Sequence, residues 1–267
     1  MSGNLKLESY CMLDITRKYK KQMQELESCE ERINLLKDSY KDKTVVIVAT
    51  GPTLKLQDKE ELKKVLSRED IVVFAIKQAL DWTEETTDFH ITSTWQVDMK
   101  KGFDYVDEDT IIFYSFTKAY VEAQMEKVMY KPSPLDFWIP ISTPPWHFES
   151  DCMHYTGDFE LFYEFGKNYE MRWGNGIMYE QAIPLGLYMG CKEFVTIGYD
   201  IADLQSHAFD DSKMKLPPKN DKMTQDYLRT TTQLYDWFQK ESVNFRILSD
   251  INPSDKRFER IKTIGEI

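Results

Sequence analysis

The sequence lacks a surplus of positive charge, and that absence narrows what it can do. Its 34 Lys and Arg residues face 45 Asp and Glu, for a formal net charge of −11. A nucleic-acid backbone is gripped by clustered Lys and Arg, so no surface for DNA or RNA is expected. A single nucleotide needs only a small local field and remains compatible with this balance. No apolar run approaches the roughly 18 residues that a bilayer-spanning helix requires, so no transmembrane segment is expected. The stretch Met1 to Ser9 has no basic region leading into an apolar core, so no secretory signal is expected either.

Cysteine is equally sparse. Cys11, Cys29, Cys152 and Cys191 show no CxxC or paired spacing, which fits reduced thiols and a cytoplasmic setting. His147, Glu149, Asp151, Cys152 and His154 form a dense run of ligand-type side chains. They lack the spacing of a four-ligand structural site, and no metal is expected. Glycine-dependent fingerprints are missing too: there is no G-x-G-x-x-G, no G-x-x-x-x-G-K-S/T and no G-x-S-x-G. Typical dehydrogenases, P-loop enzymes and serine hydrolases are thereby excluded.

What is present reads as a globular chain. Hydrophobic residues make up 42% and charged residues 30% of 267 positions, enough for one large domain or two small ones with a sizeable core. The most informative stretch is 44–55. The β-branched run Val45-Val46-Ile47-Val48 stops at Gly51-Pro52, and a charged, helix-competent segment follows. This predicts a fully buried parallel strand feeding a tight turn. In open α/β sheets, ligands bind at the carboxyl ends of such strands. Gly51 lets backbone approach a ligand, Pro52 stiffens the turn, and Thr50 and Thr53 add hydroxyls. The free N–H groups of the next helix suit an anion such as a phosphate. A βα turn with no ligand is the alternative.

Further strands are predicted at 71–76, 89–93, 110–115, 192–200 and 245–249, with a Pro-containing strand at 136–141 that suits a sheet edge. Helices are predicted near 58–67, 118–129, 175–189 and 223–241, and Pro184 should kink the third of these. The fold class is therefore α/β and Rossmann-like, a mainly parallel sheet flanked by helices. Ahead of it, 1–42 is a helical extension whose apolar positions in 5–41 recur at helical spacing. Packing on the domain is the reading of that face, with a homo-oligomer contact as the alternative. Residues 43–255 form the nucleotide-binding catalytic domain and 256–267 a C-terminal tail. Within the domain, the aromatic insert 142–173 reads as a lid or acceptor-binding loop, against a cluster that merely covers the sheet.

Several polar residues fall at predicted strand ends. These are Thr50 to Thr53, Lys77 and Gln78, Ser93-Thr94-Trp95 with Asp98, and Gly198-Tyr199-Asp200. Asp98 and Asp200 suit a ribose hydroxyl, a metal or a substrate amine, with a helix cap or turn as the structural alternative. Gly174-Asn175-Gly176 opens a helix, where Asn175 serves as a cap or as a phosphate or sugar contact, and Arg172 is a candidate charge clamp. Of the four histidines, His207 in a polar loop is best placed as general acid or base, although a solvated loop residue fits the same pattern. His90 lies within a strand and reads as core.

The motifs in order resemble glycosyltransferase family 42, the bacterial CMP-sialic-acid sialyltransferases. They are the strand followed by Gly51-Pro52-Thr53-Leu54, then Asn175-Gly176, the run Met189 to Asp200, Ser206-His207-Ala208-Phe209-Asp210, Lys219-Asn220-Asp221 and Asn252-Pro253-Ser254. The scaffold is also similar to that of 6-hydroxymethylpterin diphosphokinase-like proteins. The first resemblance implies a nucleotide site lined by Gly51, Pro52, Thr53, Lys77, Gln78, Ser93, Thr94, Trp95, Asn175 and Gly176. It implies a CMP-sugar or other nucleotide donor, a glycan or small-molecule acceptor, no resident cofactor, and a His207 loop that meets the nucleotide phosphate; His207 and Asp200 stand as catalytic candidates on their own loop and strand-end positions. Two departures stand out. Lys77 replaces the family's asparagine beside the nucleotide. His207 falls at a phosphate-contacting tyrosine, while the family's catalytic histidine has no counterpart between Lys219 and Thr232. Three readings follow: a nucleotide-sugar-dependent glycosyltransferase, a Mg²⁺-dependent diphosphoryl transferase using Asp98 and Asp200 as metal ligands, and a non-catalytic nucleotide-binding protein.

Overall fold

The computed structural model describes residues 19, 21–27, 29–92, 111–114, 137–138, 177–200, 222–249 and 254–267. The expected helix 118–129, the insert 142–173 and the His147–His154 cluster lie outside the described residues. Within them, the chain forms an eight-stranded sheet. The strands are β1 (Thr44–Val48), β2 (Ile71–Ile76), β3 (Phe89–Thr92), β4 (Ile111–Tyr114), β5 (Phe137–Trp138), β6 (Glu193–Ile197), β7 (Asn244–Leu248) and β8 (Glu259–Ile261), in the order β5-β4-β3-β2-β1-β6-β7-β8. Every described ladder is parallel. The Pro-containing segment supplies β5, at the sheet edge as its composition requires.

The continuous apolar run of β1 exists because both faces of the strand are covered. Val45 and Ile47 join one core cluster, Val46 and Val48 another, and all four are fully buried. Side-chain alternation along a strand sends neighbours to opposite faces, so a doubly covered strand needs no polar positions. Each of these burials contributes about 1.5–3 kcal/mol relative to exposure. On the second face, α2 (Lys59–Leu66) turns Leu62, Val65 and Leu66 inward, and its cap Asp58 accepts the Glu61 N–H at 2.8 Å; the one-turn α3 (Leu80–Thr83) follows β2.

The first face is covered by α1 (Cys29–Leu36), α4 (Ile183–Tyr188) and α5 (Lys222–Lys240). Part of the expected N-terminal extension is built into this core: Met23, Ile33, Leu36 and Tyr40 are buried there, and Tyr40 meets Phe89 edge-on at 6.0 Å. The backbone is tied in as well, since Asp38 and Tyr40 donate their N–H groups to the carbonyls of Tyr188 and Met189. From α5, Leu234, Trp237 and Phe238 point inward, and Phe238 lies 5.1 Å from Phe245 of β7.

Two local outcomes differ from expectation. Residues 256–267, expected as a tail, supply β8 and a closing 3₁₀ turn, Ile264–Glu266, fixed by a reciprocal Thr263–Glu266 capping box. The helix expected over 175–189 also does not run through as a kinked α-helix. Ile177–Ala182 winds as a π-helix, and α4 begins at Ile183 with Pro184 in its first turn. Proline lacks an N–H and its ring collides with the carbonyl four residues back. Widening the preceding turns removes that collision and turns the kink into a boundary.

Candidate functional site at the carboxyl edge of the sheet

β1 lies between β2 and β6, so the chain leaves it toward β5 on one side and returns on the other. Loops diverge at such a reversal, and in open α/β sheets ligands bind outside the carboxyl ends there. Three sequence-predicted segments meet at this point. Gly51, Pro52 and Thr53 follow β1, with Pro52–Leu56 forming a 3₁₀ turn. Gly198 to Asp200 follow β6, and Ser249 follows β7.

The centre of the junction is the Asp200 carboxylate. Its Oδ2 accepts the backbone N–H of Thr53 at 2.8 Å. The Thr53 hydroxyl lies 2.6 Å from Oδ2 and 2.8 Å from Oδ1, and the Ser249 hydroxyl donates to Oδ1 at 2.9 Å. Hydrogen bonds to an ionised acceptor are the strong ones, so this group ties the ends of β1, β6 and β7 together. The turn after β1 was expected to offer its N–H groups to a ligand anion. The anion found there is the protein's own carboxylate.

Gly51 is explained by the same contact. A Cβ on Gly51 would sit 2.3 Å from the Gly198 carbonyl oxygen and 2.4 Å from Asp200 Oδ2. The Gly51 N–H donates to that carbonyl at 2.8 Å. Gly198 is held at φ +67, where a side chain would be strained and its Cβ would lie 2.5 Å from the Ala49 carbonyl oxygen. Both glycines permit one strand end to close on the next.

Beside this junction, Lys77 and Gln78 begin the turn after β2. Lys77 has φ +50, unusual for a long side chain. Its carbonyl accepts the Nε2–H of His90, 2.9 Å away; a carbonyl can only accept, which fixes the imidazole tautomer. His90, expected as core, is fully buried on β3, and burial pulls its pKa down to about 4. Burial also lowers the Lys77 ammonium below the ordinary lysine range. Among the described residues no carboxylate or carbonyl receives it.

Other sequence candidates cannot be placed in this geometry. Ser93, Thr94, Trp95, Asp98, Arg172, Asn175, Gly176 and His207 lie outside the described residues. Ser249, the last residue of the strand predicted at 245–249, was not among the site candidates, although its place at a strand end would have flagged it. The described residues contain no group of three or more His, Cys, Asp or Glu able to hold a metal ion, and no helix long and apolar enough to cross a membrane.

No protein-family model and no curated protein matches this sequence. Among solved structures, the chain is similar to the sialyltransferase CstII from Campylobacter jejuni in complex with a substrate analogue, cytidine-5'-monophosphate. The identity is 16% over 84% of this chain and 86% of that one, with a TM-score of 0.43. It is also similar to the MAf glycosyltransferase from Magnetospirillum magneticum AMB-1, at 10% identity and a TM-score of 0.49, over 98% of this chain but 40% of that one. At such identities and TM-scores, neither likeness carries a functional argument for this chain.

Proposed function

We propose that this chain is a nucleotide-sugar-dependent glycosyltransferase, with the donor bound across the carboxyl ends of β1, β2 and β6. The observation that carries this reading is the braced junction where the strand order reverses, with Lys77 and Gln78 in the adjoining turn after β2 and the Lys77 ammonium meeting no carboxylate or carbonyl among the described residues. A braced carboxyl edge flanked by such a cation suits a phosphate-bearing ligand. The motif order from Gly51-Pro52-Thr53 to Gly198-Tyr199-Asp200 supports the glycosyl-transfer class, and a CMP-sugar is the donor we favour.

In this reading the nucleotide is substrate, and no resident cofactor is invoked. Asp200 acts as a positioning residue that sets the three strand ends. His207 removes the proton from an acceptor hydroxyl of a glycan or small molecule, while fixed donors stabilise the departing nucleotide phosphate. The role we assign to the aromatic segment 142–173, which lies outside the described residues, is exclusion of water from the bound donor. The sparse cysteines, without CxxC or paired spacing, support a cytoplasmic reaction.

The test is release of free nucleotide from CMP-sugar and UDP-sugar donors by the full chain, with and without acceptor and Mg²⁺. We expect metal-independent release that His207→Ala reduces by about 10²-fold or more. Turnover unchanged in His207→Ala would remove the base assignment. A response confined to nucleoside triphosphates with Mg²⁺ would replace glycosyl transfer with phosphoryl transfer.

A further inference from the structure

Lys77 differs from the other lysines whose contacts are resolved. Lys63 pairs with Glu85 at 3.4 Å, Lys43 donates to the Glu69 carbonyl at 2.7 Å, and Lys192 donates to the Glu241 carbonyl at 2.9 Å. Among the described residues Lys77 has no such partner, yet it is partly buried at the carboxyl edge of the sheet. A desolvated cation without a counter-ion is unfavourable. So is a left-handed backbone at a long side chain, which persists only where the surroundings impose it. Here they do: β2 is buried along its whole length, and the His90 imidazole, neutral because it is buried, fixes the Lys77 carbonyl.

The competing anion receptor at this edge is already filled. The Thr53 N–H and hydroxyl are taken by Asp200, so the turn after β1 holds a carboxylate of the protein. Among the described residues, the charge without a partner at this edge is the Lys77 ammonium, in the turn after β2, the strand that pairs with β1.

We propose that Lys77 receives an anionic group of the ligand, either a phosphate oxygen of the nucleotide or a carboxylate on the sugar, and that His90 is the residue that positions it. This rests on the nucleotide-sugar reading for the ligand's identity, but not for its charge. It also gives the Lys77 departure from the sialyltransferase pattern a physical meaning: a point charge stands where a neutral amide would discriminate less by ligand charge.

The experiment is calorimetric titration of the full-length wild type, Lys77→Met, Lys77→Arg, His90→Gln and His90→Ala. The probes are CMP, cytidine, UDP, uridine, inorganic pyrophosphate and N-acetylneuraminate. We expect Lys77→Met to weaken anion binding by about ten- to a hundredfold, the scale of one charge-assisted contact, while Lys77→Arg largely retains it. Loss for CMP or UDP with nucleoside binding unchanged assigns the phosphate as source. Loss confined to N-acetylneuraminate assigns the carboxylate. His90→Gln, which keeps a donor, should bind as wild type, and His90→Ala should weaken the same anion that Lys77→Met weakens. Without ligand, Lys77→Met should melt at or above the wild-type temperature, because an uncompensated charge has been removed. A wild type that ignores nucleotides yet binds pyrophosphate or N-acetylneuraminate through Lys77 would sink the nucleotide reading and keep this one. Equal affinity of wild type and Lys77→Met for every anion, or a ligand-free melting point well below wild type in Lys77→Met, would overturn it.

Discussion

Asp200 holds Thr53 by both its backbone N–H and its hydroxyl, across 147 residues of sequence. The contact joins the ends of β1 and β6, where the order of strand connections reverses, and Ser249 extends it to β7. Thr53 is itself buried, so water replaces the carboxylate poorly if it is lost.

Asp200→Ala should therefore lower unfolding stability by about 1.5–3 kcal/mol, the range for hydrogen bonds to a charged group. Thr53→Val removes the hydroxyl but keeps the N–H, and should lose less. Urea unfolding followed by circular dichroism checks both. Equal stability of Asp200→Ala and wild type would mean the junction is not braced by this carboxylate.

Gly51→Ala places a methyl against a backbone carbonyl that no side-chain rotation can move. We expect a loss of about 1–3 kcal/mol, with a shift at the end of β6. Gly198→Ala combines a similar clash with a left-handed backbone, and should lose more than Gly51→Ala. Melting temperatures of the two variants give the ranking.

His90 makes stability depend on pH. In the unfolded chain its imidazole takes up a proton near pH 6.5, whereas burial in the fold delays this to about 4. Between those values the unfolded state binds more protons, so the stability from this group is complete above pH 6.5 and falls as pH drops toward 4. The full loss is on the order of 3 kcal/mol. His90→Gln should flatten the slope of stability against pH within that window, measured by urea unfolding at several pH values. An unchanged slope would contradict a buried, neutral His90.

Cys191 should resist alkylation in the folded protein. Its thiol is buried, donates to the Tyr40 carbonyl at 3.2 Å, and burial pushes its pKa up to about 12, leaving almost no thiolate at neutral pH. Mass spectrometry after iodoacetamide treatment should find Cys191 modified only in denaturant.

Much of the fold is legible in the sequence, for physical reasons. Val45 to Val48 could be read as a buried strand because double coverage removes polar positions, and β5 as an edge because proline cannot donate to a ladder. β8 was not legible: Glu259-Arg260-Ile261 is three residues long, and only pairing with Arg246 to Leu248 makes it a strand. The start of α4 depended on how the preceding turns yield to Pro184, which no periodicity records. At the site, the sequence marks Gly51, Thr53 and Asp200 one by one. That the carboxylate fills the anion position of the β1 turn is a long-range contact, invisible until the strands are in register. That Lys77 meets no carboxylate or carbonyl among the described residues is likewise a property of the packed structure.

The central claim is that this carboxyl edge binds a nucleotide. Thermal-shift measurement of the full chain with CMP, UDP, GDP, GTP and ATP, each with EDTA and with Mg²⁺, tests it most directly, because a ligand that binds only the native state raises the melting temperature. We predict one clear, metal-independent stabilisation, strongest with CMP. A folded protein whose melting temperature responds to none of these nucleotides would contradict it.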